Sequence, residues 1–175
     1  SYKNYQIIII DDGSTDGSKK IIYKYLRKGI DKYFFQKNKG VLKLCETINT
    51  GLNLAEGELV TMLPSDDYWP TYRLAKQVKC FQDKDVVLVH GKMSIIDENG
   101  KFIKYAKKPP LNFHARHNFP VGSIFKYLLE ENFISQPTVL IRRETLVEIG
   151  GYLQPEGNYA EDYPTHLELA KKGKF

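Results

Sequence analysis

The chain has 175 residues, 42% of them hydrophobic and 27% charged, which excludes a disordered chain and leaves room for one buried core. No apolar run reaches the roughly 18 residues that span a bilayer, and two cysteines without metal-ligand spacing rule against a disulfide framework or a zinc site. The net charge of +5 is mild: its scattered lysines read as a solvated face, with a surface for anionic substrates or lipid headgroups as the alternative, and no nucleic-acid motif or partner is expected.

Residues 6–10, "QIIII", predict a strand buried on both faces of a parallel sheet. "DDGSTDGS" (11–18) supplies turn and helix-cap residues, and 19–29 reads as an amphipathic helix stopped by Gly29. A short strand at 32–36, a turn at 38–40 and a helix over 41–57 follow. Next come a second buried strand (58–63), the loop "PSDDYWP" (64–70), an amphipathic helix (71–82) and a strand (86–91). Residues 95–103 predict a hairpin turning at Asn99-Gly100. The stretch 104–120 is irregular; a loop of that length is usually functional or mobile. A helix (121–131), a strand (137–143), a short helix (144–151) and a last helix (161–173) complete the chain. The early strand–helix alternation predicts an α/β domain with a mostly parallel sheet. Cys45 and Cys80 are expected as free, buried thiols in a reducing compartment. With Ser1 at its start, the chain is expected to be a piece of a longer protein.

Two apolar runs end in paired carboxylates: Asp11-Asp12 and Asp66-Asp67. Ligands of open α/β sheets bind beyond the carboxyl ends of the strands, and a carboxylate placed there must be bonded, paired or metal-bound. Carboxylate oxygens suit Mg²⁺ or Mn²⁺, which keep part of their shell for phosphate and water. Together the loops point to a metal–diphosphate site. Other readings remain: Ser14 or Asp16 as simple helix caps, solvated Asp-Asp pairs, or a calcium loop from Asp12, Ser14, Asp16 and Gly17. The last puts Tyr23 where a bidentate Glu is needed.

The segments "YKNYQIIIIDDGSTDGS", "NKG…INTGLNLAEGELVTMLPSDD" and "GGY…AEDYPTHLELAKKGKF" resemble, in order and across nearly the whole chain, the family 2 glycosyltransferases of the GT-A fold. The resemblance implies a three-layer, Rossmann-like α/β sandwich. It also implies an inverting transferase that takes a sugar from a nucleotide diphosphate, usually UDP, with Mn²⁺ or Mg²⁺. Residues 1–91 would be the nucleotide-sugar-binding half and 92–175 the acceptor-binding half. Asp12 resembles the carboxylate that pairs with the nucleotide base, beside Asp11. Asp66 resembles the one near the ribose, Asp67 the metal ligand and Asp162 the catalytic base, with Glu161 second. Asp162 otherwise reads as a helix-start carboxylate satisfying the dipole.

Pro64 stands where the family often has an aspartate, and Ile48 where many members have an arginine; Lys43 or Lys39 would replace that diphosphate contact. The family's first strand, with its nucleotide loop, is expected before Ser1. His114, His117 and His166 are weighed as site residues and as ordinary histidines, and His90 as structural. Trp69 is a sugar platform or a core aromatic, Gln136 a candidate sugar contact, and Arg142 and Arg143 are expected to face solvent. Family habit places the enzyme in bacterial-type envelope polysaccharide assembly, cytoplasmic or at the inner face of the membrane, acting on a glycan or lipid-linked acceptor. The competing functions are a nucleotidyltransferase on a similar fold and a non-catalytic or truncated nucleotide- or metal-binding domain.

Overall fold

The computed structural model describes residues 2–26, 28–106, 111, 116–160 and 162–175. Strand β1 (Ile8–Asp11) leads through the Asp-rich loop into helix α1 (Ser18–Tyr25), and β2 (Lys32–Phe35) returns parallel to β1, with Asp11 opposite Phe35. A 3-10 turn (Val41–Lys43) opens α2 (Leu44–Leu54); β3 (Leu59–Val60) and α3 (Arg73–Cys80) follow. β4 (Leu88–Val89) precedes a hairpin of β5 (Ser94–Ile96) and β6 (Phe102–Tyr105). Helix α4 (Phe125–Glu130), a 3-10 turn (Gln136–Thr138), β7 (Leu140–Arg142), α5 (Arg143–Glu148) and α6 (Asp162–Leu169) complete the order. None of these helices is long and apolar enough to cross a membrane.

The α/β class expected from the alternation holds. β7 lies between β3 and β4 and is antiparallel to both, so those two run parallel to each other. Among the described residues β1 is bonded to β2 alone, and its isoleucines are half-buried rather than closed off on both faces. Several strands are shorter than the apolar runs suggest. β3 stops at Val60 because the next residue, Thr61, turns its hydroxyl onto the Val139 carbonyl (2.6 Å). β7 starts late because the Gln136-Pro137 step is wound into the 3-10 turn.

Leu88, Ile124, Leu128, Ile141, Leu146 and Leu169 are fully buried and join β4, β7, α4, α5 and α6 in one core. α1, in contrast, buries no residue. α2 approaches β1 at Gly51, where a Cβ would stand 3.3 Å from Ile10 Cγ1. The far end of α2 is tied to the late chain. The Asn49 amide donates to the Tyr152 carbonyl (2.9 Å) and accepts from the Tyr152 N–H (2.8 Å), while Gln154 accepts from the Cys45 N–H (3.1 Å). Gly151 (φ +88) must be glycine, since a Cβ would fall 2.5 Å from Asn49 Oδ1. The "INTG" and "GGY" segments are therefore two sides of one joint. Cys45 is a buried thiol outside any disulfide, as expected; Cys80 is also outside any disulfide but exposed, on the outer face of α3.

Candidate active site

Asp11 ends β1 with 4% of its surface exposed. One oxygen accepts the Ser14 N–H (2.8 Å), the other the Tyr33 hydroxyl (2.9 Å). Burial pushes its carboxyl up, but the bonds from Ser14, Tyr33 and Gly13 outweigh it and hold the group below its ordinary value. Tyr33 is pushed up to about 12 by desolvation and by that carboxylate. Asp11 thus shapes the loop from within, while Asp12 faces the opposite partner.

Asp12 Oδ1 accepts from Gln36 Nε2 (2.6 Å) and from the Lys39 N–H (3.2 Å); Oδ2 has only a long bond to that N–H (3.3 Å). Gln36 spends its other hydrogen on the Thr47 hydroxyl (2.7 Å). The two loops can touch because of Gly13: its φ is +85 and a Cβ would lie 2.6 Å from the Asn38 nitrogen. Lys39 and Lys43 are brought together by one carboxylate, Glu46, at 3.1 and 3.4 Å. Asp16 does what a local helix-start residue does, accepting the Ser18 N–H (2.9 Å).

Asp66 and Asp67 sit in an exposed turn closed by the Asp67 N–H on the Pro64 carbonyl (3.2 Å). Neither side chain has a hydrogen-bond or ion-pair partner among the described residues. Nor do three His, Cys, Asp or Glu side chains converge anywhere among them. Two adjacent, unpartnered hard-oxygen donors fit a Mg²⁺ or Mn²⁺ ion that draws its other ligands from phosphate and water. The loop is fixed from behind. Trp69 Nε1 donates to the Pro137 carbonyl (2.9 Å), and the Arg73 guanidinium stacks 3.9 Å from the Trp69 ring centroid. Trp69 is therefore a strut rather than an open platform.

Arg73 is the residue that sequence reasoning missed. It is 9% exposed, donates to Thr61 Oγ1 (3.1 Å) and the Val139 carbonyl (3.0 Å), and keeps Nε and Nη1 without partners. Burial lowers its pKa to about 10, which leaves it charged at neutral pH. The available signal was the Trp-to-Arg spacing of four in "WPTYR", one turn of helix.

On the other side, Asp162 begins α6. Its Oδ2 accepts from Asn132 Nδ2 (3.2 Å) and its Oδ1 from the Tyr163 N–H (2.7 Å). Asp162 lines a cleft of about 610 Å³ with Asn132, Gln136, Pro137 and residues of the β5–β6 hairpin. Behind the cleft, fully buried His166 is 3.0 Å by Nε2 from Gln136 Oε1. Burial lowers its pKa to about 3, so the ring is neutral and carries one hydrogen. Its Nδ1 is buried without a partner, and an orphaned lone pair costs less than an orphaned N–H. The hydrogen therefore sits on Nε2 and binds Oε1, which leaves the Gln136 NH₂ uncommitted to His166. His166 bonds to Gln136 and does not itself line the cleft.

His90 is half-buried, its pKa lowered to about 4 by desolvation and then by His117; neither histidine lines the cleft. Arg142 is folded back, against expectation, donating to the Val86 (3.2 Å) and Phe81 (3.4 Å) carbonyls. Arg143 is likewise half-buried. Glu161 and His114 lie outside the described residues.

The profile of glycosyl transferase family 2 matches residues 1–150. The chain belongs to glycosyl transferase family 2. A glycosyltransferase of Haemophilus influenzae is 31% identical over 176 residues, covering 99% of this chain and 63% of that protein. The Bacillus subtilis glycosyltransferase TuaG, named for teichuronic acid biosynthesis, is 28% identical over 179 residues with the same coverage, 99% and 63%. Among solved structures, the mannosyltransferase PcManGT of Pyrobaculum calidifontis, in complex with GDP-Man and Mn²⁺, superposes with a TM-score of 0.63. It is 21% identical, over 97% of this chain and 44% of that one. The shared fold is that of GT-A glycosyltransferases. The family 2 chain thus spans under two-thirds of the length of these relatives.

Proposed function

We propose that this chain is the catalytic core of an inverting, metal-assisted glycosyltransferase. It would move a sugar from a nucleotide diphosphate, with UDP-sugar as the expected donor, to a hydroxyl of a glycan or lipid-linked acceptor. Residues 1–91 would hold the donor and 92–175 the acceptor. Asp12 keeps Oδ2 nearly free for an N–H of the base, and Asp11 holds the loop that presents it. Asp66 would reach the ribose and Asp67 the metal. Mn²⁺ or Mg²⁺ held there would offset the charge that grows on the departing diphosphate. Lys39 and Lys43 would exchange Glu46 for phosphate oxygens. Glu161 remains the second candidate for the base.

The observation that carries the reading is Asp162: a carboxylate lining the same cleft as Gln136. Asn132 holds one oxygen, so the carboxylate is aimed before a ligand arrives. Inversion requires an acceptor hydroxyl to attack opposite the leaving group while a carboxylate takes its proton. Asp162 would take that proton, and Gln136 would donate a hydrogen bond to another oxygen of the acceptor. The relative named for teichuronic acid biosynthesis supports a role in envelope polysaccharide assembly. A site at the cytoplasmic face of the membrane accords with that role.

The test is hydrolysis of UDP- and GDP-sugars with Mn²⁺. Asp162→Asn should lower kcat by about 10²–10⁴-fold, while nucleotide and Mn²⁺ still raise the melting temperature as in the wild type. Unchanged turnover in a folded Asp162→Asn protein would remove Asp162 from the role of base.

A further inference from the structure

The β5–β6 hairpin carries exposed apolar side chains among lysines. All four residues of β6 are exposed, with Phe102, Ile103 and Tyr105 at 52%, 56% and 56%. Phe102 and Tyr105 rings lie 5.0 Å apart, and Lys92 Nζ stands 5.9 Å from the Tyr105 ring. Lys101 and Lys104 interleave with these apolar side chains and have no acidic partner among the described residues. Asp97, at the tip, is committed to the turn through the Asn99 (3.0 Å) and Lys101 (2.8 Å) N–H groups. Over 92–108 the sequence has five lysines against two carboxylates and no arginine.

Exposed aromatic and aliphatic side chains alternating with lysine suit the headgroup region of a bilayer, where the rings enter the interface and the lysines meet lipid phosphates. A protein partner fits less well, because interface centres favour arginine and exclude lysine. We propose that this hairpin contacts an anionic lipid surface, with Phe102 and Ile103 entering the headgroup layer. Lys104 and Tyr105 also line the cleft that holds Asp162, so the contact sets the mouth of that cleft at the membrane. That consequence rests on the transferase reading; the lipid contact itself does not.

The test is co-sedimentation of the chain with vesicles of phosphatidylcholine alone and of phosphatidylcholine mixed with phosphatidylglycerol. Binding is expected to the anionic vesicles and to fall with salt. Phe102→Ser with Ile103→Ser should weaken it by about tenfold or more. Lys92→Glu with Lys101→Glu should weaken it by about fivefold per lysine. All four positions are exposed, so the melting curves should not change. No binding to anionic vesicles, or binding that both variants retain, overturns the proposal. So does a lipid-free dimer that the Phe102/Ile103 variant dissociates, which would make the covering partner a second copy of the chain. Thermal shifts with nucleotide and Mn²⁺ in the Phe102/Ile103 variant report the donor site separately, so failure of the lipid contact and failure of the transferase reading are distinguished.

Discussion

Replacing Gly13 by alanine tests whether the two donor loops are held by one backbone approach. The residue has φ +85, and a Cβ there would stand 2.6 Å from the Asn38 nitrogen and 3.1 Å from its Cα. The conformation alone costs an L residue about 1–2 kcal/mol. The contact is with backbone, so no side-chain rotation relieves it; the 36–40 segment must withdraw. Withdrawal breaks the bonds that Gln36 and the Lys39 N–H make to Asp12, each worth about 1 kcal/mol or more because the acceptor is charged. The expected sum is a loss of about 3–4 kcal/mol or more, divided between fold stability and nucleotide affinity. Urea denaturation measures the first and calorimetric titration with UDP or GDP in Mn²⁺ the second. If both stay at wild-type values, the close approach of the loops is not what fixes Asp12.

Three further outcomes are expected. Asn49→Ala should lower stability by about 2–3 kcal/mol in urea denaturation, because it removes two buried-joint hydrogen bonds to the Tyr152 backbone; a change below about 0.5 kcal/mol would mean that water replaces the amide. Glu46→Gln frees Lys39 and Lys43 of their shared carboxylate and should tighten binding of a nucleoside diphosphate about threefold at low salt, an effect that vanishes at high salt; weaker binding would show that Glu46 helps the site. His166 holds its folded pKa near 3, below the unfolded value of about 6.5, so the unfolded state takes up a proton that the folded ring refuses. Stability should therefore fall as pH drops from about 6.5 toward 3, by about 1.4 kcal/mol per pH unit for this one proton. His166→Gln should flatten that limb by the same amount in pH-dependent denaturation, and an unaltered slope would mean that the buried ring is protonated.

The sequence made Asp12, Asp67 and Asp162 visible because each follows a pattern that local chemistry dictates. A greasy run ending in Asp-Asp must leave the sheet for a loop, and an aspartate opening a helical segment reads as a helix start. Asn99-Gly100 fixed the hairpin for the same reason, with Gly100 at φ +78. What stayed hidden is set at long range. An arginine inside the polar, lysine-rich α3 reads as solvated, yet Arg73 is buried by a carbonyl 66 positions away. Gln154 occupies the start of α2 from 109 positions later in the chain, and no local periodicity encodes that. β3 and β7 are shorter than their apolar runs because such runs report burial, and residues such as Thr61 and Pro137 are half-buried without joining a ladder.

Arg73 also gives the arrangement of the site its physical sense. The Asp66–Asp67 turn carries two unpaired carboxylates and has little packing of its own, so something else must set its position. Trp69 and Arg73 dock it onto Pro137 and Val139, the residues that lead from the cleft wall into β7. The Val139 carbonyl accepts from both Thr61 and Arg73, while β3 and β7 pair directly, Val60 opposite Ile141. The proposed metal loop and the wall of the proposed acceptor cleft are thus fixed to the same strand pair. A guanidinium buried with two nitrogens unpartnered is costly. A leucine at this position would pack without that cost but could not donate to two chain segments while stacking on an indole. The cost is consistent with a position held for geometry: it keeps the carboxylates that would face the donor and its metal at a fixed offset from the carboxylate that would face the acceptor.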